Sequence, residues 1–141
     1  MYRIIYMSSS VKLLEENEID LLLRHSRKSN NNNDITGVLL YIEGDFLQVI
    51  EGEEDVIISL FEKIKMDSRH KGIICVFNEK VKERQFSDWS MGFHITNYEK
   101  LIKDTGFDTL SKTQLENIED KTASILLNTF IKSNKDSITF W

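Results

Sequence analysis

Apolar and polar positions change period along this chain, and the changes mark its elements. Tyr2 to Met7 reads as a first strand, with Tyr2, Ile4 and Tyr6 sharing one face. After Ser8-Ser9-Ser10, Leu14, Ile19, Leu22 and Leu23 recur at helical spacing among helix formers, predicting a helix that ends near Ser29. Asn30 to Asp34 should break it, since asparagine and aspartate favour turns. Thr36 to Ile42 is predicted as strand two, Glu43-Gly44-Asp45 as a hairpin turn and Phe46 to Glu51 as strand three. Val56, Ile57, Leu60, Phe61 and Ile64 restore helical spacing across Glu53 to Met66, with acidic residues in the first turn where they suit the helix dipole. Gly72 to Glu79 is then strand four, and Trp89 to His94 a short strand five.

The order βαββαββ predicts an α+β class: a ferredoxin-like sandwich of two split βαβ units, with both helices on one sheet face. The other face needs a cover. A short helix around Tyr98 to Lys103 and a longer one from about Ser111 to Lys132 supply it, the longer placing Leu115, Ile118, Ile125, Leu126 and Phe130 on one stripe. The expected division is a core over residues 1–96 and a helical extension and tail over 97–141.

Bulk properties narrow the partners. At 141 residues the chain is expected to be one domain with a small appendage. Its 18 basic and 23 acidic side chains give a net charge of −5, which disfavours general binding to nucleic acid or anionic membrane. No apolar run is long enough to span a bilayer, and the opening residues are too short for a signal-peptide core, so a cytoplasmic location is expected. Cys75, within Ile73-Ile74-Cys75-Val76-Phe77, reads as an inert core thiol. The three histidines have no metal-ligand spacing.

One residue stands out chemically. Gln48 lies inside Phe46-Leu47-Gln48-Val49-Ile50, a run that reads as a strand buried on both faces. Its amide carries two donors and an acceptor that need partners, and leaving them unpaired costs about 1–3 kcal/mol. Either nearby backbone satisfies it or it reads the polar edge of a ligand. Strand periodicity allows Tyr6 and Gln48 to approach on one side of the sheet, where they would satisfy each other.

Five motifs in order then carry a resemblance over about residues 2–93. They are Ile5-Tyr6-Met7-Ser8; Ser26 and Asn30 ahead of Ile35-Thr36-Gly37; Gly44-Asp45-Phe46-Leu47-Gln48-Val49-Ile50-Glu51-Gly52; Ile64 with Asp67-Ser68-Arg69-His70; and the run from Arg84 through Trp89-Ser90-Met91 to Phe93. Together they resemble BLUF domains, the blue-light sensors that use flavin. The resemblance implies a non-covalently held flavin, FAD ahead of FMN. Tyr6 would be its electron and proton donor, and Gln48 the bridge whose hydrogen bonds rearrange to give a reversible red shift. Asn30 would hold the ring's polar edge, Asp67, Arg69 and His70 would line the outer ring and ribityl side, and Ser26 would contribute from helix one. Trp89 and Met91 would relay the change from strand five to the C-terminal helices, and from there to a separate signalling protein. The resemblance also implies a homo-oligomer. An acylphosphatase-like enzyme on the same fold is the alternative, and a glycine-rich phosphate cradle and a nucleophile–base set are both missing from the sequence.

Overall fold

Side chains alternating across a single sheet divide the protein between two apolar layers. The computed structural model describes residues 1–106, 120–134, 136 and 138. Its elements are β1 (Tyr2–Ser10), α1 (Glu16–Asn32), β2 (Thr36–Ile42), β3 (Asp45–Gly52), α2 (Glu54–Lys65), β4 (His70–Lys80), β5 (Gly92–Thr96), α3 (Tyr98–Thr105) and α4 (Asp120–Asn134). The strands lie in the order β4-β1-β3-β2-β5, with β5 parallel to β2 and the other pairs antiparallel.

On one face Ile4, Tyr6, Leu39 and Ile50 pack against Ile19 and Leu23 of α1 and Ile57 and Phe61 of α2. On the other, Ile5, Met7, Leu40, Leu47 and Val49 pack against Leu101 of α3 and Leu126, Leu127, Phe130 and Ile131 of α4. This is the ferredoxin-like sandwich the periodicity predicts, with its second face covered. Central β3 is buried from Phe46 through Gly52, as expected of a strand covered on both sides. The β2–β3 connection is the two-residue turn Glu43-Gly44, both at positive φ, as tight hairpins require. β2 and β3 approach so closely that a Cβ on Gly37 would lie 1.9 Å from the Val49 carbonyl oxygen.

Four expectations are corrected. α1 does not stop at Ser29 but runs through Asn30 to Asn32, because the buried Asn30 side chain donates to the Ser90 carbonyl and that tertiary bond outweighs local propensity. Cys75 is exposed, not a core thiol: Ile5 pairs with Phe77 and Tyr6 with Cys75, so Val76 is an extra residue, and this bulge turns Val76 and Phe77 inward and Cys75 outward. In α4, Ile125 is 59% exposed, since the helix turns Leu126, Leu127, Phe130 and Ile131 onto the sheet instead. Leu115 and Ile118 lie outside the described residues. β5 begins at Gly92, so Trp89 and Met91 precede the strand, for a reason that emerges at the site.

Candidate functional site

The register of β1 against β3 sets Tyr6 directly opposite Gln48, and both side chains point to the α1–α2 face. There the Tyr6 hydroxyl donates to Gln48 Oε1. The amide's other end, Nε2, donates to the Met91 sulfur at 3.4 Å. Burial pushes the Tyr6 phenol well above its ordinary pKa, and the Asp67 charge adds to the rise, so the proton stays on the Tyr6 oxygen at neutral pH.

Tyr6 and Gln48 line a cavity of about 280 Å³ between α1 and α2. Ser26, Asn30, Asp67, Arg69 and His70 line the same cavity, so all seven residues expected to bind a ligand converge on it. Its walls are apolar: Leu14 and Leu22 on one side, Leu60 and Ile64 on the other, with Leu39 and Phe46 from the sheet. Leu14, Leu22, Leu60 and Ile64 are only half-buried, leaving apolar surface that a ligand would cover. His70 is held by two bonds: Nδ1 meets Ser8 Oγ at 2.8 Å, and Nε2 donates to the Ile64 carbonyl. At the rim Arg69 Nη2 pairs with Asp67 Oδ2 at 2.6 Å, and this partner holds the Asp67 carboxyl below its usual range. Lys63 and His25 also line the cavity, from exposed helix positions. The arrangement suits a flat, largely apolar ring system with one polar edge.

Behind the cavity runs the segment ahead of β5, and its carbonyls explain why the strand starts late. The Gly37 amide donates to the Trp89 carbonyl at 3.0 Å, Asn30 Nδ2 to Ser90 at 2.7 Å and Arg27 Nε to Met91 at 2.9 Å. With these acceptors bound outside a ladder, the Trp-x-Met-x-Phe alternation does not become strand until Gly92. Met91 is fully buried on the cavity side, whereas Trp89 stacks on Phe86 in the layer beneath α3 and α4. Neither residue lines the cavity; Met91 reaches it through Gln48.

The preceding loop is held by Glu51, whose fully buried carboxylate accepts from the amides of Gln85 and Phe86, from Thr36 Oγ1 and from Arg3 Nε. Arg84 ties the same loop to Thr36 and to the Asp34 carbonyl. Sequence reasoning did not single out Arg27, Glu51, Leu39 or Phe46. The polar pair gave a signal only in hindsight: a charged residue on the inward face of a helix, and another closing a buried strand.

Comparison with known proteins gives the family. Residues 1–92 match the BLUF family, described as sensors of blue-light using FAD, and the chain belongs to that family. It is 30% identical over 87 residues to the photoactivated adenylate cyclase subunit beta of Euglena longa, covering 61% of this chain and 10% of that protein. It is 33% identical over 81 residues to the alpha subunit of Euglena gracilis, covering 57% of this chain and 8% of that one. The chain thus spans about a tenth of the length of these relatives. Among solved structures it resembles BlsA in its ground state, with TM-score 0.73 and 30% identity over 92% of this chain and 87% of that one. It also resembles the BLUF protein BlrB in its dark state, with TM-score 0.71 and 29% identity over 94% of this chain and 96% of that one.

Proposed function

We propose that residues 1–96 form a flavin-binding photosensory core and that residues 97–141 carry its output to a separate signalling protein. The observation that carries this reading is the bonded series from the Tyr6 hydroxyl through the Gln48 amide to the Met91 sulfur, beside an apolar cavity. FAD is the flavin the family description names. When bound, it supplies blue absorption and, once excited, a strong oxidant.

In this reading Tyr6 gives up an electron and the proton on its hydroxyl; in support, Gln48 Oε1 accepts from that hydroxyl. Of the residues lining the cavity, Asn30 and Gln48 would hold the polar edge of the ring, and Asp67, Arg69, His70 and Ser26 would hold its remainder. Turning the Gln48 amide over exchanges Oε1 and Nε2. That breaks the bond from Tyr6 and withdraws the donor from Met91. The change at Met91 then reaches Trp89, two residues away on the opposite side of the sheet, and through it the C-terminal helices.

The activity of the cyclase relatives belongs to proteins of which this chain spans about a tenth. For this chain the reading is a photoreceptor without turnover chemistry, acting in the cytoplasm as a homo-oligomer on a separate effector. Among the described residues no helix is long and apolar enough to cross a membrane.

The test is an absorption spectrum of the purified protein in the dark and after blue illumination. A flavin band that moves slightly to the red and returns in the dark supports the reading. A colourless protein that takes up no added FAD or FMN overturns it.

A further inference from the structure

Arg27 has no part in the reading above, yet it is only 4% exposed on the inward face of α1. Arginine is almost never fully buried unless its charge meets a partner. Its Nε donates to the Met91 carbonyl at 2.9 Å, a charge-assisted bond stronger than a neutral one. Burial lowers the guanidinium pKa, and Asp20, seven residues earlier on the same helix, opposes the drop.

Met91 is the residue that gains from this. Its side chain has three rotatable bonds and a soft sulfur, so packing alone specifies its position poorly. Its backbone is outside any ladder at this point. Fixing the carbonyl fixes where the side chain starts, and the thioether then reaches Gln48 Nε2 at 3.4 Å. Asn30, one turn on from Arg27, lines the cavity and holds the neighbouring Ser90 carbonyl.

We propose that Arg27 is a positioning residue of the photosensor: by holding the Met91 carbonyl it keeps the Met91 thioether against the Gln48 amide and ties α1 to the signalling segment. This rests on the flavin reading and deepens it.

The test compares wild type with Arg27→Gln and Arg27→Lys, the second keeping the charge and a donor. With methyl-labelled methionine the chain's four methionines give few resonances, and Met91→Leu assigns the one needed. In Arg27→Gln the Met91 methyl should move toward the averaged position of a free side chain, both without flavin and with FAD bound in the dark. Dark recovery of the red-shifted state should slow by about fivefold or more, because the thioether no longer waits in place for the returning amide. Arg27→Lys should lie between the two. If Arg27→Gln fails to fold, Arg27→Lys is judged by the same readouts. An unmoved Met91 methyl with unchanged recovery, alongside only a lower Tm, overturns the proposal and leaves Arg27 as a structural pin. If wild type shows no light-induced shift, the flavin reading itself fails; the flavin-free methyl comparison still decides whether Arg27 positions Met91.

Discussion

Trp89 and Met91 are two residues apart yet face opposite layers of the protein: Met91 toward Tyr6 and Gln48, Trp89 toward Phe86 and the C-terminal helices. In a strand such a pair would share a face. Here the irregular backbone between them sends them to different layers. Met91→Ala should disturb the flavin band and its recovery and cost about 2–5 kcal/mol as a core truncation. Trp89→Ala should leave the band nearly in place and remove light-dependent hydrogen exchange from residues 97–134. Exchange mass spectrometry in dark and light checks this, and equal effects of the two substitutions on the band would count against it.

Tyr6→Phe keeps the ring that packs on Phe61 and removes the hydroxyl. The expected result is a flavin-binding protein with no red shift and a stability loss of about 1 kcal/mol from one deleted hydrogen bond. Gln48→Leu should also abolish the shift. Difference spectra after illumination, with urea unfolding in parallel, test both.

Alkali offers a separate check on Tyr6. A free phenol ionises near pH 10. Because the folded-state pKa of Tyr6 is raised, the stability conferred by its neutral form is complete below the unfolded value and is lost as pH rises past it toward the folded one. Subtracting the ultraviolet titration of Tyr6→Phe from that of wild type should show no phenolate at pH near 10 while the protein is folded. A normal titration there would show the phenol to be solvated.

Glu51→Gln tests the loop anchor. The change leaves Arg3 buried without its counter-charge, and breaking a buried pair in this way costs about 3–5 kcal/mol. Faster amide exchange at Gln85 and Phe86 should accompany the loss in urea unfolding. Unchanged exchange at both amides would mean that the carboxylate does not hold the loop.

Gly92→Ala would place a Cβ 2.9 Å from a Trp89 ring carbon and 3.2 Å from an Ile138 methyl. Trp89 should be displaced, with a red-shifted tryptophan emission, while the Tyr6–Gln48 bond is retained. Emission spectra of this variant beside Trp89→Ala identify the signal.

Much of this arrangement was legible in the sequence because it depends on period. Alternation in β1 and β3 put Tyr6 and Gln48 on matching faces, and helical spacing put Leu22, Leu60 and Ile64 where the cavity walls stand. Which face α1 and α2 cover depends on long-range packing that alternation within a strand does not report. The failures share a cause. Asn30 stays helical and Met91 stays out of strand because each is bonded to the other's segment or its neighbour across about sixty positions, and local propensity carries no trace of such bonds. Cys75 was misread because a bulge shifts facing by one residue, and nothing in an unbroken apolar run marks where the extra residue falls.

The three carbonyls of Trp89, Ser90 and Met91 are held by two α1 side chains and the backbone amide of Gly37 in β2, through individual bonds that precede the β2–β5 ladder. From Gly92 onward β5 is zipped to β2. The protein therefore has a joint at this point. Under the proposed switch the segment need exchange only a few individual bonds while the sheet stays closed, so a movement begun by one amide need not unravel the fold that carries it.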